Sequence, residues 1–303
     1  MQKQIPLVLS GLILGLFGLS NLLLSYHPFI LHALSLFACV LWILYTLTFI
    51  MRRRSAWQEI QNTTLFTSCA PYPMATMLFA NYLSILGLTI FSKMLWWAGA
   101  GIHILMFSYC SFYLIRQEKK LFVTPSWTVL YVGIAMMGLT NPVTGARALG
   151  WGSILLGFIL TLVLTPFILK NLPQLKDPIK PQVAILCAPF SLLLAASIKM
   201  ANSSIPEAIL YALVIASQLF YFLALVWIPK ALKKGFYPSY SALTFPLVIS
   251  ATSFKLALPL LGWEHTLPAQ ILLKAEEGLA TLVVAFVAYQ YFLYLKDSVE
   301  ASN

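Results

Sequence analysis

Apolar runs of about twenty residues recur along the chain, separated by short polar connections, and runs of that length and continuity predict membrane-spanning helices. Ten spans are expected: Ile5–Leu24, Phe29–Met51, Pro71–Phe91, Met94–Ile115, Pro125–Asn141, Ala148–Leu169, Gln182–Met200, Pro206–Ile228, Pro238–Leu261 and Ala269–Leu295. The fifth is the shortest, because Asn141-Pro142 ends it early. A transmembrane barrel would instead show short segments of alternating polarity. The polar remainder has no stretch long enough for a separate soluble domain, so residues 1–303 read as one transmembrane domain.

The distribution of charge fixes an orientation. Arg52–Arg54 follow the second span; Arg116, Lys119 and Lys120 the fourth; Lys170, Lys176 and Lys180 the sixth; Lys230, Lys233 and Lys234 the eighth. With Lys3 and Lys296 at the ends, these make fourteen of the 19 Lys and Arg. The alternate connections hold Lys93, Arg147, Lys199, Lys255 and Lys274, together with Glu207, Glu264, Glu276 and Glu277. The basic side is expected to be cytoplasmic, with both termini inside, which requires an even number of spans. A bacterial plasma (inner) membrane is the expected location. Gln2-Lys3 before Ile5–Leu24 imitates a signal peptide, but the apolar run is too long and no small-residue cleavage site follows, so a retained first helix is expected.

Short links around Ser25–Pro28 and Ala201–Ile205 make antiparallel neighbours of spans one and two and of spans seven and eight. The odd spans share a further mark, a proline near the basic end: Pro6, Pro73, Pro125, Pro189 and Pro246, at successive spacings of 67, 52, 64 and 57 residues. A unit of about sixty residues repeated five times reads as a helical-hairpin repeat. Pro6 and Pro125 fit simple helix starts. Pro189 and Pro246 lie about seven residues inside their expected spans, where proline would kink the helix and free the carbonyl four residues back. Such a carbonyl is tolerated in a membrane only where protein or water can satisfy it. The odd spans also hold small and polar residues, Ser10, Gly11, Gly15, Gly18, Ala75, Thr76 and Asn81, whereas spans two, four, eight and ten are rich in Leu, Phe, Trp and Tyr. The expected architecture is all-α, five kinked inner helices ringed by five outer ones, with Gly11 and Gly15 serving close packing.

Composition agrees: 60% of the residues are hydrophobic and 9% charged, against about a quarter charged in soluble domains. The net charge of +10 is carried by loop residues and calls for a membrane surface, not nucleic acid. The four cysteines show no metal-ligand spacing, His103 is the one mid-span histidine, and no Ser/His/Asp set falls at one depth. No catalytic residue, metal or cofactor is therefore expected. The acids fall in loops or at span ends in this reading, which disfavours transport coupled to buried carboxylates.

The remaining chemistry lies in the ninth span. On a helix Ser241, Phe245, Ile249 and Thr252 fall within about 40° of one another. A face with a hydroxyl, an aromatic ring and a second hydroxyl suits a narrow lumen better than lipid. Phe245 there would form an apolar constriction that gates by steric block and dewetting. Lys199 and Lys255 follow Pro189 and Pro246 at matching distances and are expected at similar depth near the far end of their spans. Facing the axis, they would concentrate anions; otherwise they would snorkel to the headgroups.

The chain resembles the tellurite-resistance/dicarboxylate transporter family, that of TehA and the plant guard-cell slow anion channels. The matching stretches are Ile5–Leu16, Pro73–Leu78, Pro125–Trp127, Ala188–Ser191 and Phe245–Ser253, in order over essentially the whole length. The resemblance implies five helical hairpins around a quasi-fivefold pore, commonly in a homotrimer, with Phe245 at the gating position. It implies small inorganic or organic anions as substrates, conducted by a channel or facilitated transporter; a secondary carrier for dicarboxylate, sulfite or tellurite-type anions is the alternative. Lys199 and Lys255 stand outside the family pattern.

Overall fold

Apolar side chains surround most of the helices, and the way each helix hides or exposes them sorts the architecture. The computed structural model describes residues 5–117, 121–201, 205–233 and 235–300, with side chains through residue 296. Gln2, Lys3, Lys119, Lys120, Lys234 and residues 202–204 of the Ala201–Ile205 link lie outside the described residues. Among the described residues there are only helices and their connections. Six helices are long and apolar enough to cross a membrane, and Leu7–Leu22 and Ser126–Leu139 form shorter apolar helical stretches.

The principal helices are α1 (Ser10–Leu22), α2 (Pro28–Met51), α3 (Pro71–Ile85), α4 (Thr89–Tyr109), α5 (Ser126–Tyr131), α6 (Arg147–Asn171), α7 (Ala188–Ala201), α8 (Glu207–Ala231), α9 (Thr244–Ala257) and α10 (Leu267–Glu300). The start of α2 has a local cause. Pro28 stands at the first turn of α2, and the His27 ring accepts the Phe29 N–H at 3.1 Å. The link from α3 to α4 turns at Gly87, whose φ of +79° is a left-handed conformation that a side chain would strain. The fifth span is not one helix: α5 passes through a 3₁₀ turn at Gly133–Ala135 into Met136–Leu139, and a further 3₁₀ turn at Asn141–Val143 follows.

The prolines act differently from the kinks expected at Pro189 and Pro246. Asp177–Cys187 and Pro238–Leu243 are 3₁₀ helices, and α7 and α9 begin where these end. Pro189 and Pro246 therefore occupy the first turn of an α-helix, where a missing N–H costs little. The helix-start explanation reserved for Pro6 and Pro125 extends to both. The bend is a change of helix type, from the narrower 3₁₀ winding to the α-helix.

Burial divides the helices into two groups. The apolar windows of α2, α4, α6 and α8 are 22–33% buried, whereas those of the segments Asp177–Ala201 and Pro238–Leu261 are 89% and 72% buried. Nearly all of α1 is buried as well. The contacts of the buried helices close a cycle: α1 on α3, α3 on the Gly133–Leu139 turns, these on α7, α7 on α9, and α9 on α1. The packing of α1 on α9 depends on Gly15, where a Cβ would lie 2.5 Å from Thr244 Oγ1. Thr244 Oγ1 also donates to the Gly11 carbonyl at 2.8 Å. The small residues of α1 are thus used for close helix approach.

Candidate functional site

Two cavities open inside the cycle of buried helices. The one toward the basic connections is lined by Gly11 and Leu14 of α1, Ser68, Ser126 and Thr128, Gln182 and Pro189, and Ser241, Phe245 and Pro246. It offers about 60 Å³ of room for water, enough for a few molecules. Ile185 and Ala242, four residues before Pro189 and Pro246, also line it. The Ile185 carbonyl accepts the Ala188 N–H in the 3₁₀ pattern, so the wall here is not opened by a proline-freed carbonyl.

The second cavity lies toward the opposite end and is much larger, with about 530 Å³ of room for water. Gly18, Asn21, Asn81, Thr140, Lys199, Phe245, Ile249, Thr252 and Lys255 are among its lining. Among the described residues, Phe245 alone borders both cavities. Depth along α1 runs the same way, Gly11 and Leu14 on one side and Gly18 and Asn21 on the other. A Cβ at Gly18 would stand 3.3 Å from Phe245 Cδ2, so this glycine makes room for the ring. Phe245 thus contributes to the walls of two spaces that are each large enough for water.

The walls offer few free donors. In the basic-side cavity Thr128 donates to the Pro125 carbonyl at 2.8 Å and Ser239 to the Pro178 carbonyl at 2.5 Å. Gln182 Nε2 donates to Ser68 Oγ at 3.1 Å. In the large cavity Asn21 donates to the Phe17 carbonyl at 2.7 Å and Thr252 to the Val248 carbonyl at 2.8 Å. The walls are mostly apolar, and hydroxyls and amides already engaged within the protein leave a weakly binding surface.

The two lysines have different surroundings. Lys199 is exposed, and among the described residues it has no hydrogen bond or ion pair. Lys255 Nζ lies 2.8 Å from Glu277 Oε1, 2.8 Å from the Leu22 carbonyl and 2.7 Å from Ser25 Oγ. Glu277 also takes Lys274 at 3.1 Å and a hydrogen bond from the Tyr26 hydroxyl. Lys255 is thus a tie between α9, the end of α1 and α10, with its charge compensated. Glu276 and Glu277 are both buried within α10, which corrects their assignment to a connection. The far-side cluster is legible only in three dimensions, because its members come from α1, α9, α10 and the link after α1.

Of the other sequence candidates, Ser241, Pro189 and Pro246 line the basic-side cavity and Thr252 the larger one. Pro6, Pro73 and Pro125 border neither. Pro6 precedes the 3₁₀ turn Leu7–Leu9, and the Pro73 carbonyl lies where a Cβ on Gly99 would come within 3.0 Å. Pro125 edges a small separate void with Phe190 and Phe220. His103 is buried, with Nε2 2.8 Å from the Leu130 carbonyl, a bond between α4 and α5. Gln182, Ser68 and Ser126 were not singled out by the sequence reading, since a single polar residue at the edge of an apolar run carries no distinguishing pattern.

No curated protein matches the chain. The family model described as SLAC1, voltage-dependent anion channel, matches residues 4–294, nearly the whole length, and this multi-pass membrane protein belongs to that family.

Proposed function

We propose that this member of an anion channel and transporter family passes small inorganic anions along an axial path bounded by α1, α3, the α5 turns, α7 and α9, with Phe245 as its gate. In this reading ten spans form five helical hairpins about a quasi-fivefold axis, and the basic side faces the cytoplasm. The observation that carries the reading is that Phe245 is shared by two cavities, each large enough for water, on the same cycle of helices. The closed contact cycle of the buried helices supports it.

The walls explain how passage and selection can coexist. An anion entering a lined but weakly binding lumen sheds part of its hydration and finds no multi-point site to hold it back. Selection then follows dehydration cost, so nitrate passes more readily than chloride and a doubly charged dicarboxylate least. Lys199, at the wide end, raises the local anion concentration without lying at the constriction.

Replacing Phe245 by Ala is expected to raise anion flux from proteoliposomes about tenfold, the change produced by removing roughly 1.4 kcal/mol of barrier. Unchanged flux from a correctly inserted F245A protein removes the gate. The unequal cavities, about 530 Å³ against about 60 Å³, also fit one end state of a carrier working by alternating access. Flux that saturates and is stimulated by countersubstrate would favour that second reading over the channel.

A further inference from the structure

The turn after α2 carries three consecutive arginines whose surroundings differ. Arg52 is engaged: Nη2 pairs with Glu59 Oε1 at 2.6 Å and Nη1 donates to the Ile5 carbonyl at 3.3 Å. Arg53 and Arg54 are exposed, and among the described residues neither has an ion pair or hydrogen bond. They open a short helix, Arg53–Glu59, whose Ala56, with Ile60 just beyond it, is turned into the protein. Trp57 is four residues after Arg53 and three after Arg54, so it is a neighbour of each on the helix surface. Trp57 is 50% exposed and its ring packs 5.5 Å from that of Tyr109, which in turn lies 5.1 Å from the tilted ring of Tyr113.

The surface next to this face is apolar. Ile50 and Met51, immediately before the arginines, are 59% and 84% exposed, and Phe112, beside Tyr113, is 67% exposed. Hydrocarbon-facing side chains therefore end where the guanidinium groups and the aromatic ladder begin. Exposed tryptophan and tyrosine at such a boundary belong at headgroup depth. A guanidinium is suited to phosphate oxygens, which it can bind through two parallel N–H bonds. A dissolved phosphate would engage the arginines but would have no use for the aromatic ladder or the apolar surface behind it.

We propose that Arg53, Arg54 and Trp57, backed by Tyr109 and Tyr113, form a binding site for the headgroup of an anionic phospholipid in the leaflet on the basic side. The arginines take the phosphate, and the rings flank the glycerol region while the acyl chains run along Ile50, Met51 and Phe112. Arg52 holds the short helix in place through Glu59 and is a positioning residue.

Native mass spectrometry of the full-length protein, purified from vesicles of equal phosphatidylglycerol and phosphatidylcholine, tests this. The wild type should retain phosphatidylglycerol preferentially, and R53Q/R54Q should lower that preference on the order of thirtyfold, as expected from about 1 kcal/mol for each of two basic residues. K170Q/K176Q, which removes two charges elsewhere on the same side, should leave it intact. W57A should reduce retention of both lipids. Equal retention of the two lipids by the wild type, or an equal loss in both double variants, would overturn the site. Circular dichroism and elution profile verify that each variant is folded. Because the readout is lipid binding, the result is independent of whether Phe245 gates.

Discussion

Lys199 and Lys255 show how far residue type and register carry. Both stand at matching distances from a proline, and both border the large cavity. Lys255 is compensated by Glu277, whose carboxylate is almost wholly buried, whereas Lys199 has no polar partner among the described residues. The two substitutions should therefore fail differently. K199Q should lower flux about twofold to threefold at low ionic strength and leave it unchanged at high salt, since screening removes field focusing. K255M should leave Glu277 with a weakened set of partners and destabilise the protein by roughly 2–4 kcal/mol. Thermal unfolding in detergent, with flux measured in parallel, separates the two. The lysines were visible in the sequence, but their partners were not, since Leu22 and Ser25 lie more than two hundred residues from Lys255 and meet it only through packing.

At the scale of elements, the glycines of α1 do more than permit packing in general. Gly15 faces Thr244, and Gly18 faces Phe245 and Val248, so the first helix sets the position of the ring-bearing one. Gly15→Ala should cost about 1–3 kcal/mol, because the Thr244 side chain and the Phe245 backbone both stand in the way. Gly101→Ala and Gly152→Ala, in α4 and α6 with nothing within 4 Å, should be neutral or slightly stabilising in the same unfolding assay. The spacing of these glycines was legible as a close-packing face. The helix type before Pro189 and Pro246 was not. A 3₁₀ segment and an α-helix of the same apolar residues differ only in which carbonyl each N–H selects.

At the scale of the molecule, burial splits the helices into an apolar-exposed set and a buried set whose contacts close on themselves. That division was foreshadowed by small and polar residues in the odd spans against Leu, Phe, Trp and Tyr in the even ones. The proposed orientation can be tested cleanly because the four native cysteines are buried. A thiol reagent that cannot cross the bilayer should label a cysteine placed at exposed Ser55 only from the cytoplasmic side. One placed at exposed His265 should react only from the other side. Labelling of both from one side would remove the orientation.

By itself the sequence determined that this is a helical membrane protein, which residues are basic and on which connections, and that Phe245 lies on a face mixing aromatic and hydroxyl groups. Those conclusions follow from length, polarity and periodicity, which are local properties of the chain. Tertiary structure alone decided that Phe245 borders two cavities, that Lys255 is tied to a buried Glu277 while Lys199 is not, and that Pro189 and Pro246 lie in the first turns of α-helices. Each of these depends on a neighbour distant in sequence or on a choice between hydrogen-bond partners of similar energy, and neither leaves a mark in the order of residues.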